Sequence, residues 1–306
     1  MGACVRIGYP CTNRTIGCKA NRTFRLKSYS EERLVTTVQD NLDCLKAMLR
    51  FNAANSILFL RIASDLIPFA SHPINRVDWE KCFSTEFFQI GDLVRNFGMR
   101  ISMHPDQFVV INSPDTDVFN RSVAELVYHA RVLDAMGLDM TAKIQVHVGG
   151  VYRDRQQSME RFTQRFFSLP EVVRRRLAIE NDDRFYTLRD CLTISSQTGV
   201  PVVLDVLHHQ VNGSGNTVKK VLEMVGSTWG DEHGPPMVDY SLQKPGGRRG
   251  SHAASLDVQV FARFLGETRP YDFDIMLEIK DKEESALRAV RLAREDERFF
   301  GGRSKG

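Results

Sequence analysis

The stretch Gln145-Val146-His147-Val148-Gly149-Gly150 decides how this chain is read: an apolar run carries a histidine near its end and stops at paired glycines. A second run ends in the same way, in Ala178-Ile179-Glu180-Asn181-Asp182-Asp183. In both, strand-forming residues lead straight into a metal-type side chain and then into a polar turn. Outward from these two, strands are expected at Cys4–Tyr9, Ile57–Ile62, Met99–Met103, Lys143–Val148, Leu177–Glu180, Val202–Val206, Met237–Ser241 and Asp274–Ile279. Helical spacing fills the intervals: Leu34, Val38, Leu42, Leu45 and Leu49; Val123, Leu126, Val127, Ala130 and Leu133; Val218, Val221, Leu222 and Val225; Ala286, Leu287, Val290 and Ala293. Eight strand–helix units predict an α/β fold, a single (β/α)₈ TIM barrel with a metal cluster at the C-terminal face of its strands. Ile57–Ile62 is almost continuously apolar, as a strand buried on both faces must be. An open doubly wound sheet would need a reversal point and usually a glycine-rich phosphate loop, and no G-x-G-x-x-G follows the first strand. No internal repeat or linker divides residues 1–306, so one domain is expected, with the barrel over about 1–295 and a tail over 296–306.

Composition narrows the class. With 42% hydrophobic and 26% charged residues the chain has ample apolar material for a core. A net charge of +3 excludes a globally basic nucleic-acid binder, so any phosphate-binding surface must come from local clusters. No apolar run spans a bilayer, and no membrane partner is expected. The six cysteines form no CxxC pair, and the evenly spaced Cys4, Cys11 and Cys18 lack a fourth soft ligand nearby. Without a signal peptide ahead of them, they are expected to be reduced and structural in an intracellular protein.

Polar residues gather where such a barrel places its active site. His104 follows the third strand, His147 lies near the end of the fourth, and Glu180 ends the fifth. Asp205 and His208 finish the sixth, Asp239 lies within the seventh and Glu278 is at the end of the eighth. His72 falls in the loop after the second strand and His252 in the loop after the seventh. One histidine at a strand end reads as a hydrogen-bonded rim residue, but six consecutive strands delivering imidazoles and carboxylates to one face make a costly cluster unless cations neutralise it. Nitrogen and oxygen ligands without sulfur suit Mn²⁺, Zn²⁺, Fe²⁺ or Mg²⁺. The candidate ligands exceed what one ion needs, so two or three divalent ions are expected. Such clusters activate water and hold phosphates; sugar isomerisation is the competing chemistry. His129, within a helical stretch, is expected to be a surface or packing residue, and His233 has no assigned role. Of the adjacent His208 and His209, the former is the preferred ligand.

Six ordered stretches carry a family resemblance: Arg6-Ile7-Gly8-Tyr9, Phe59-Leu60-Arg61-Ile62-Ala63-Ser64, His104-Pro105-Asp106-Gln107-Phe108, His147-Val148-Gly149-Gly150, Glu180-Asn181-Asp182-Asp183 and the Asp205/His208 segment. Together they resemble the ultraviolet-damage DNA endonucleases of the xylose-isomerase-like TIM barrel superfamily, over nearly the whole chain. The resemblance implies a DNA-repair hydrolase, an endodeoxyribonuclease that cuts damaged double-stranded DNA on the 5′ side of pyrimidine dimers, 6-4 photoproducts and some other lesions. It implies up to three divalent ions, manganese foremost and zinc or magnesium as alternatives. The implied ligands are His104, His147, Glu180, Asp205, His208, Asp239, His252 and Glu278, with His72 close by; Glu180, Asp205 and Glu278 would be catalytic. Gln107 and Phe108 match the family's lesion-probing pair, whose second residue is often Tyr, and Tyr9 and Asn13 match positions near the damaged bases. An exposed aromatic wedge suits a site where cross-linked bases are cheap to extrude. Arg153, Arg155, Lys219, Lys220, Lys244, Arg248 and Arg249 are candidate phosphate contacts, Lys244 and Arg248 foremost. A monomer is expected, cytoplasmic and on the nucleoid during repair, or nuclear in a eukaryote. One departure stands out: where the family commonly has Lys-x-His, this chain has Met237-Val238-Asp239, so the modifiable lysine is absent and an oxygen ligand replaces a nitrogen one. The rival readings are an abasic-site endonuclease, a sugar isomerase or epimerase on the same barrel, and a damage-binding protein whose altered seventh strand has cost it catalysis.

Overall fold

Short runs of β-branched and aliphatic residues pair in parallel, each strand giving its backbone groups to two neighbours so that no edge is left open. The computed structural model describes residues 5–213 and 215–302. Its strands are β1 (Ile7–Pro10), β2 (Phe59–Ile62), β3 (Arg100–Met103), β4 (Lys143–His147), β5 (Leu177–Glu180), β6 (Val202–Asp205), β7 (Met237–Tyr240) and β8 (Asp274–Leu277). They follow chain order around a closed barrel in which β1 pairs with β8. Helices lie between successive strands, among them Glu31–Ala54, Ser84–Phe97, Thr116–Ala135, Arg155–Ser168, Leu188–Thr198, Val218–Gly226, Val258–Glu267 and Glu283–Ala293. The TIM barrel read from the sequence is therefore present, its strands mostly a residue or two shorter than expected. The sixth strand stops at Asp205 because that side chain caps the next helix, accepting from the His208 amide at 2.7 Å.

Side chains alternate along each strand, and the parity explains what points where. Phe59, Ala178, Val203, Met237 and Met276 form an apolar plug of their own inside the barrel, while the intervening residues join the larger core between barrel and helices. Two positions further along the same strands come Arg61, Glu180, Asp205, Asp239 and, just past β8, Glu278. Met237, where the family's lysine would stand, belongs to this plug. Below it, Arg100 bonds Asp274 at 2.8 Å and the Lys143 ammonium nitrogen lies 2.8 Å from His233 Nδ1, closing the barrel floor. Burial, reinforced by Arg100 and Arg176, pulls Lys143 down to about 7.

Two expectations are corrected here. The segment after 295 is not all tail: Val5 bridges Phe299, and Arg298 is 2% exposed, bonding Asp296 at 2.9 Å and the carbonyls of Leu265, Thr268 and Tyr271. A polar C-terminal stretch reads as a tail until its arginine finds carbonyls that the helix Val258–Glu267 leaves unpaired at its end. The cysteines are not all reduced either, because Cys18 and Cys44 form a disulfide with Cα atoms 5.8 Å apart. The chain following β1 lies against the helix Glu31–Ala54, and their 26-residue separation concealed this. Cys11, Cys82 and Cys191 are free thiols, and Cys4 lies outside the described residues. No helix among the described residues is long and apolar enough to cross a membrane.

Arg298 holds the Asp296 carboxyl down at about 2, chiefly through hydrogen bonding. A depressed carboxyl contributes stability above its ordinary value of about 3.9 and loses it as pH falls through the folded value. Arg298→Met is therefore expected to cost about 3 kcal/mol in urea unfolding at pH 7, the scale of a broken buried ion pair, with the deficit shrinking as pH drops from about 4 towards 2. A deficit below about 1 kcal/mol at pH 7 would show that the segment is dispensable.

Candidate metal centre

Glu180 ends β5 on the interior parity, 2% exposed, and three histidines surround its carboxylate, one just after β3, one ending β4 and one in the short helix Val206–Asn212 after β6. His104 Nε2 lies 3.3 Å and His147 Nε2 3.9 Å from Oε2, and His208 Nδ1 lies 3.3 Å from Oε1. The imidazole centroids form a chain, 5.2 Å from His104 to His147, 6.2 Å on to His208, and 6.2 Å again to His252. Three sets of side chains offer ligand atoms within 4.8 Å of one another: His104, His147 and Glu180; Glu180, Asp205 and His208; and Asp205, Asp239 and Glu278. Glu180 and Asp205 are each shared between two sets, so the three fuse into one cluster.

The hydrogen bonds around the cluster prepare it for cations. Nδ1 of His104 faces the Pro105 carbonyl at 2.9 Å, and Nδ1 of His252 faces the Glu278 carbonyl at 2.6 Å. Bonding of that kind fixes the proton on Nδ1 and frees Nε2 as a ligand atom. Asp205 Oδ2 and His147 Nδ1 are buried without a hydrogen-bond partner. A carboxylate oxygen so deep, with no hydrogen bond and only His208 Nδ1 at 3.4 Å beside it, is costly to keep charged and suits a site where an ion can sit against it. Burial and the negative charges of Glu180, Glu278 and Asp239 push Asp205 well above the carboxylate range, against the pull of His208. Burial would also raise Glu180, but His147, His104 and His208 hold it well below that range. Burial disfavours the His208 imidazolium, yet Glu180 and Asp205 outweigh burial and bring it up to about 10. The donor set fits hard or borderline divalent cations.

The third set already holds a cation of the protein's own. Arg61, on β2 and 3% exposed, bonds both oxygens of Asp239 at 2.7 and 2.9 Å and one oxygen of Glu278. Gln145 completes the network, donating to Glu180 and Asp239 at 2.5 Å each and accepting from Arg61 at 2.9 Å. Asp239, which stands where the family commonly has a histidine, thus already accepts three bonds from protein donors. Sequence reasoning passed over Arg61 and Gln145, although a charged or amide side chain at an interior position of an apolar strand was the signal for both.

Other expected site residues fall further out. His72 is exposed, accepts from the Ile74 amide at 3.1 Å and stands apart from all three ligand sets. The loop after β2 sets its ring edge-on to Phe69, with centroids 6.3 Å apart. Tyr9 and Asn13 are buried, not presented to a duplex: Tyr9 has the outward parity of β1, and its hydroxyl bonds Asn52 at 2.8 Å and Asn13 at 3.0 Å. Gln107 and Phe108 are exposed in the loop after β3, and Lys244 and Arg248 in the loop after β7. His129 is a packing residue, fully buried with Nδ1 on the Glu125 carbonyl, and His209 is outside the ligand sets.

Comparison with known proteins bears on this geometry. Residues 5–299 match the family model described as UV-endonuclease UvdE. The chain is 38% identical over 293 residues to a UV DNA damage endonuclease of Clostridium perfringens, covering 95% of this chain and 71% of that one. It is 33% identical over 267 residues to that of Bacillus pumilus, covering 86% and 83%. The crystal structure of SacUVDE superposes with a TM-score of 0.91 at 45% identity, over 95% of this chain and 98% of that one.

A metal ion binds neutral imidazole, whereas the metal-free His208 is protonated up to about pH 10. Manganese binding at pH 8 is therefore expected to release protons, read by calorimetry in buffers of differing ionisation enthalpy, and His208→Gln to release fewer. Binding without proton release would remove His208 from the ligand set.

Proposed function

Because the chain belongs to the UV DNA damage endonuclease family, we propose that it incises damaged duplex DNA at a phosphodiester bond on the 5′ side of ultraviolet photoproducts. The observation that carries this reading is the carboxylate of Glu180, buried and ringed by His104, His147 and His208 beside an Asp205 oxygen that has no hydrogen-bond partner. Divalent cations, manganese foremost, supply Lewis-acid activation of water and neutralise phosphate charge when bound in such a cluster. His104, His147 and Glu180 would hold one, and Glu180, Asp205 and His208 a second, with His252 at the edge of the cluster.

We take the capacity to be two ions, because the Arg61 guanidinium occupies Asp239 and one oxygen of Glu278. That cation is permanent, planar and matched to carboxylates. Glu278 then serves by holding Arg61 and orienting His252, not by serving an ion of its own. Gln107 and Phe108 stand exposed beyond His104, where an amide and a ring can enter a weakened base stack. Lys244 and Arg248 can meet the flanking phosphates. A single chain carries every group this reading needs, so we propose that the enzyme works as a monomer wherever the chromosome is kept.

On an end-labelled duplex with one pyrimidine dimer, the manganese-loaded protein is expected to give one cut, 5′ of the lesion. Glu180→Gln should reduce that rate by more than about 100-fold, beyond what loss of an outer-shell partner costs, with an unchanged circular dichroism spectrum. Near-normal cutting by that variant, or no cutting by the parent protein with any divalent ion, contradicts the reading. Metal analysis should find two tightly held manganese ions per chain, and the same two in Asp239→Asn; three in the parent protein would make Asp239 a ligand after all.

A further inference from the structure

Three successive loops at the barrel mouth repeat one arrangement. His104 follows β3 and Phe108 stands beyond it; His147 ends β4 and is followed by Tyr152; Glu180 ends β5 and is followed by Phe185. Each strand end thus delivers a ligand of the metal cluster and then a large ring, and the rings of Phe108, Tyr152 and Phe185 are 56%, 41% and 46% exposed. A polar or basic residue adjoins each one: Gln107, Arg153 and Arg184, all exposed.

The loops that carry the rings are tied together by specific bonds, and the Arg161 guanidinium lies 5.9 Å from the Tyr152 ring centroid. Asn112, at the end of the first loop, donates to the Gly150 carbonyl at 2.7 Å and accepts from the Gly150 amide at 3.1 Å. The Tyr186 hydroxyl, from the third loop, donates to the same carbonyl at 2.8 Å and accepts from Asn112 at 3.1 Å. The three loops are therefore one hydrogen-bonded unit. Within it, Tyr152 and Arg153 adopt φ of +48° and +78°, left-handed values that side-chain-bearing residues avoid unless the surroundings over-determine them. The Tyr152 ring then lies over Gly150, where any Cβ would come within 2.8 Å of it. In the third loop Asp182 accepts from the amides of Arg184 and Phe185 with one oxygen and from Tyr186 with the other, so Tyr186 turns inward while Arg184 and Phe185 turn out.

We infer that Tyr152 and Phe185 extend the exposed ring of Phe108 into a stacking surface for unpaired DNA bases at the barrel mouth, with Arg153 and Arg184 meeting the phosphates of that strand. The inference rests on the endonuclease reading above; it adds Tyr152, Phe185 and Arg184 to it and gives Arg153, already a candidate phosphate contact, its place. Aromatic faces accept any base, and interleaved arginines answer the backbone charge, which is the pairing that holds single strands without sequence preference. Arg184 retains a loose contact of 3.5 Å with Asp183 and is otherwise exposed to solvent. Strand and cations then meet, because the rings follow the ligands His104, His147 and Glu180 within a few residues along three adjacent strands.

The test uses the full-length protein and a fluorescein-labelled oligothymidylate, which carries no lesion to cut. Tyr152→Ala and Phe185→Ala are each expected to weaken binding about tenfold by anisotropy. Tyr152→Phe should bind like the parent protein, since the ring and not the hydroxyl does the stacking. Arg153→Ala should lower the dependence of affinity on salt by about one counterion. All four should melt like the parent and take up the same manganese, as the side chains are exposed. Parent-like binding by both alanine variants, with an unaltered KM on the dimer duplex, overturns the stacking surface and leaves the endonuclease reading intact. Equal losses in Tyr152→Phe and Tyr152→Ala overturn stacking at that position. A parent protein that binds neither the single strand nor the dimer duplex overturns both readings.

Discussion

Everything at the mouth of this barrel follows from the crowding of four carboxylates, the buried Glu180, Asp205 and Asp239 and the half-buried Glu278, where strand parity turns all of them inward. Carboxylates so close together and so dry repel one another, and a fold can keep them only by supplying positive charge. The protein supplies part of it. Arg61 neutralises the side nearest β7 and β8; burial works against its charge, and the negative charges of Asp239 and Glu278 outweigh that and keep the guanidinium charged. His208 covers another part by remaining protonated. Asp205 stays only loosely matched: its second oxygen has no hydrogen-bond partner and lies 3.4 Å from His208 Nδ1. The place for a divalent cation is thus defined by a local deficit of charge as well as by the residue types around it.

Strength and reactivity are divided between levels of one interior column. At the bottom, Arg100, Asp274 and Lys143 close the floor with polar groups that reach carbonyls and one another. Above them the plug of Phe59, Ala178, Val203, Met237 and Met276 separates floor from mouth. Methionine at position 237 suits that plug: it fills irregular space with no polar atom to satisfy. A lysine there would bring one more charge into the level below the cluster. The loops complete the column, because Asn112, Gly150 and Tyr186 bind three of them into a single rim.

Much of this was legible in the sequence, for identifiable reasons. The barrel was legible because parallel strands buried on both faces leave nearly continuous apolar runs, and because helical spacing filled the gaps. The gathering of His104, His147, Glu180, Asp205 and His208 was legible because a barrel brings every C-terminal strand end to one place. What stayed hidden depended on facts that spacing does not carry. Tyr9 shares a motif with lesion-contacting residues, yet its parity on β1 sends it among the helices to Asn52. Arg61 stood within a quoted motif, but only the closed barrel shows that it faces Asp239 on the opposite wall. The Cys18–Cys44 bond and the burial of Arg298 each join segments that are unrelated along the chain.

The most direct measurement is a crystal of the protein soaked in manganese, with diffraction recorded on both sides of the manganese absorption edge. Anomalous density is expected between His104, His147 and Glu180 and between Glu180, Asp205 and His208, with none between Asp239 and Glu278 where the guanidinium lies. Density confined to the protein surface, with nothing bonded to Glu180, would contradict the account at its root.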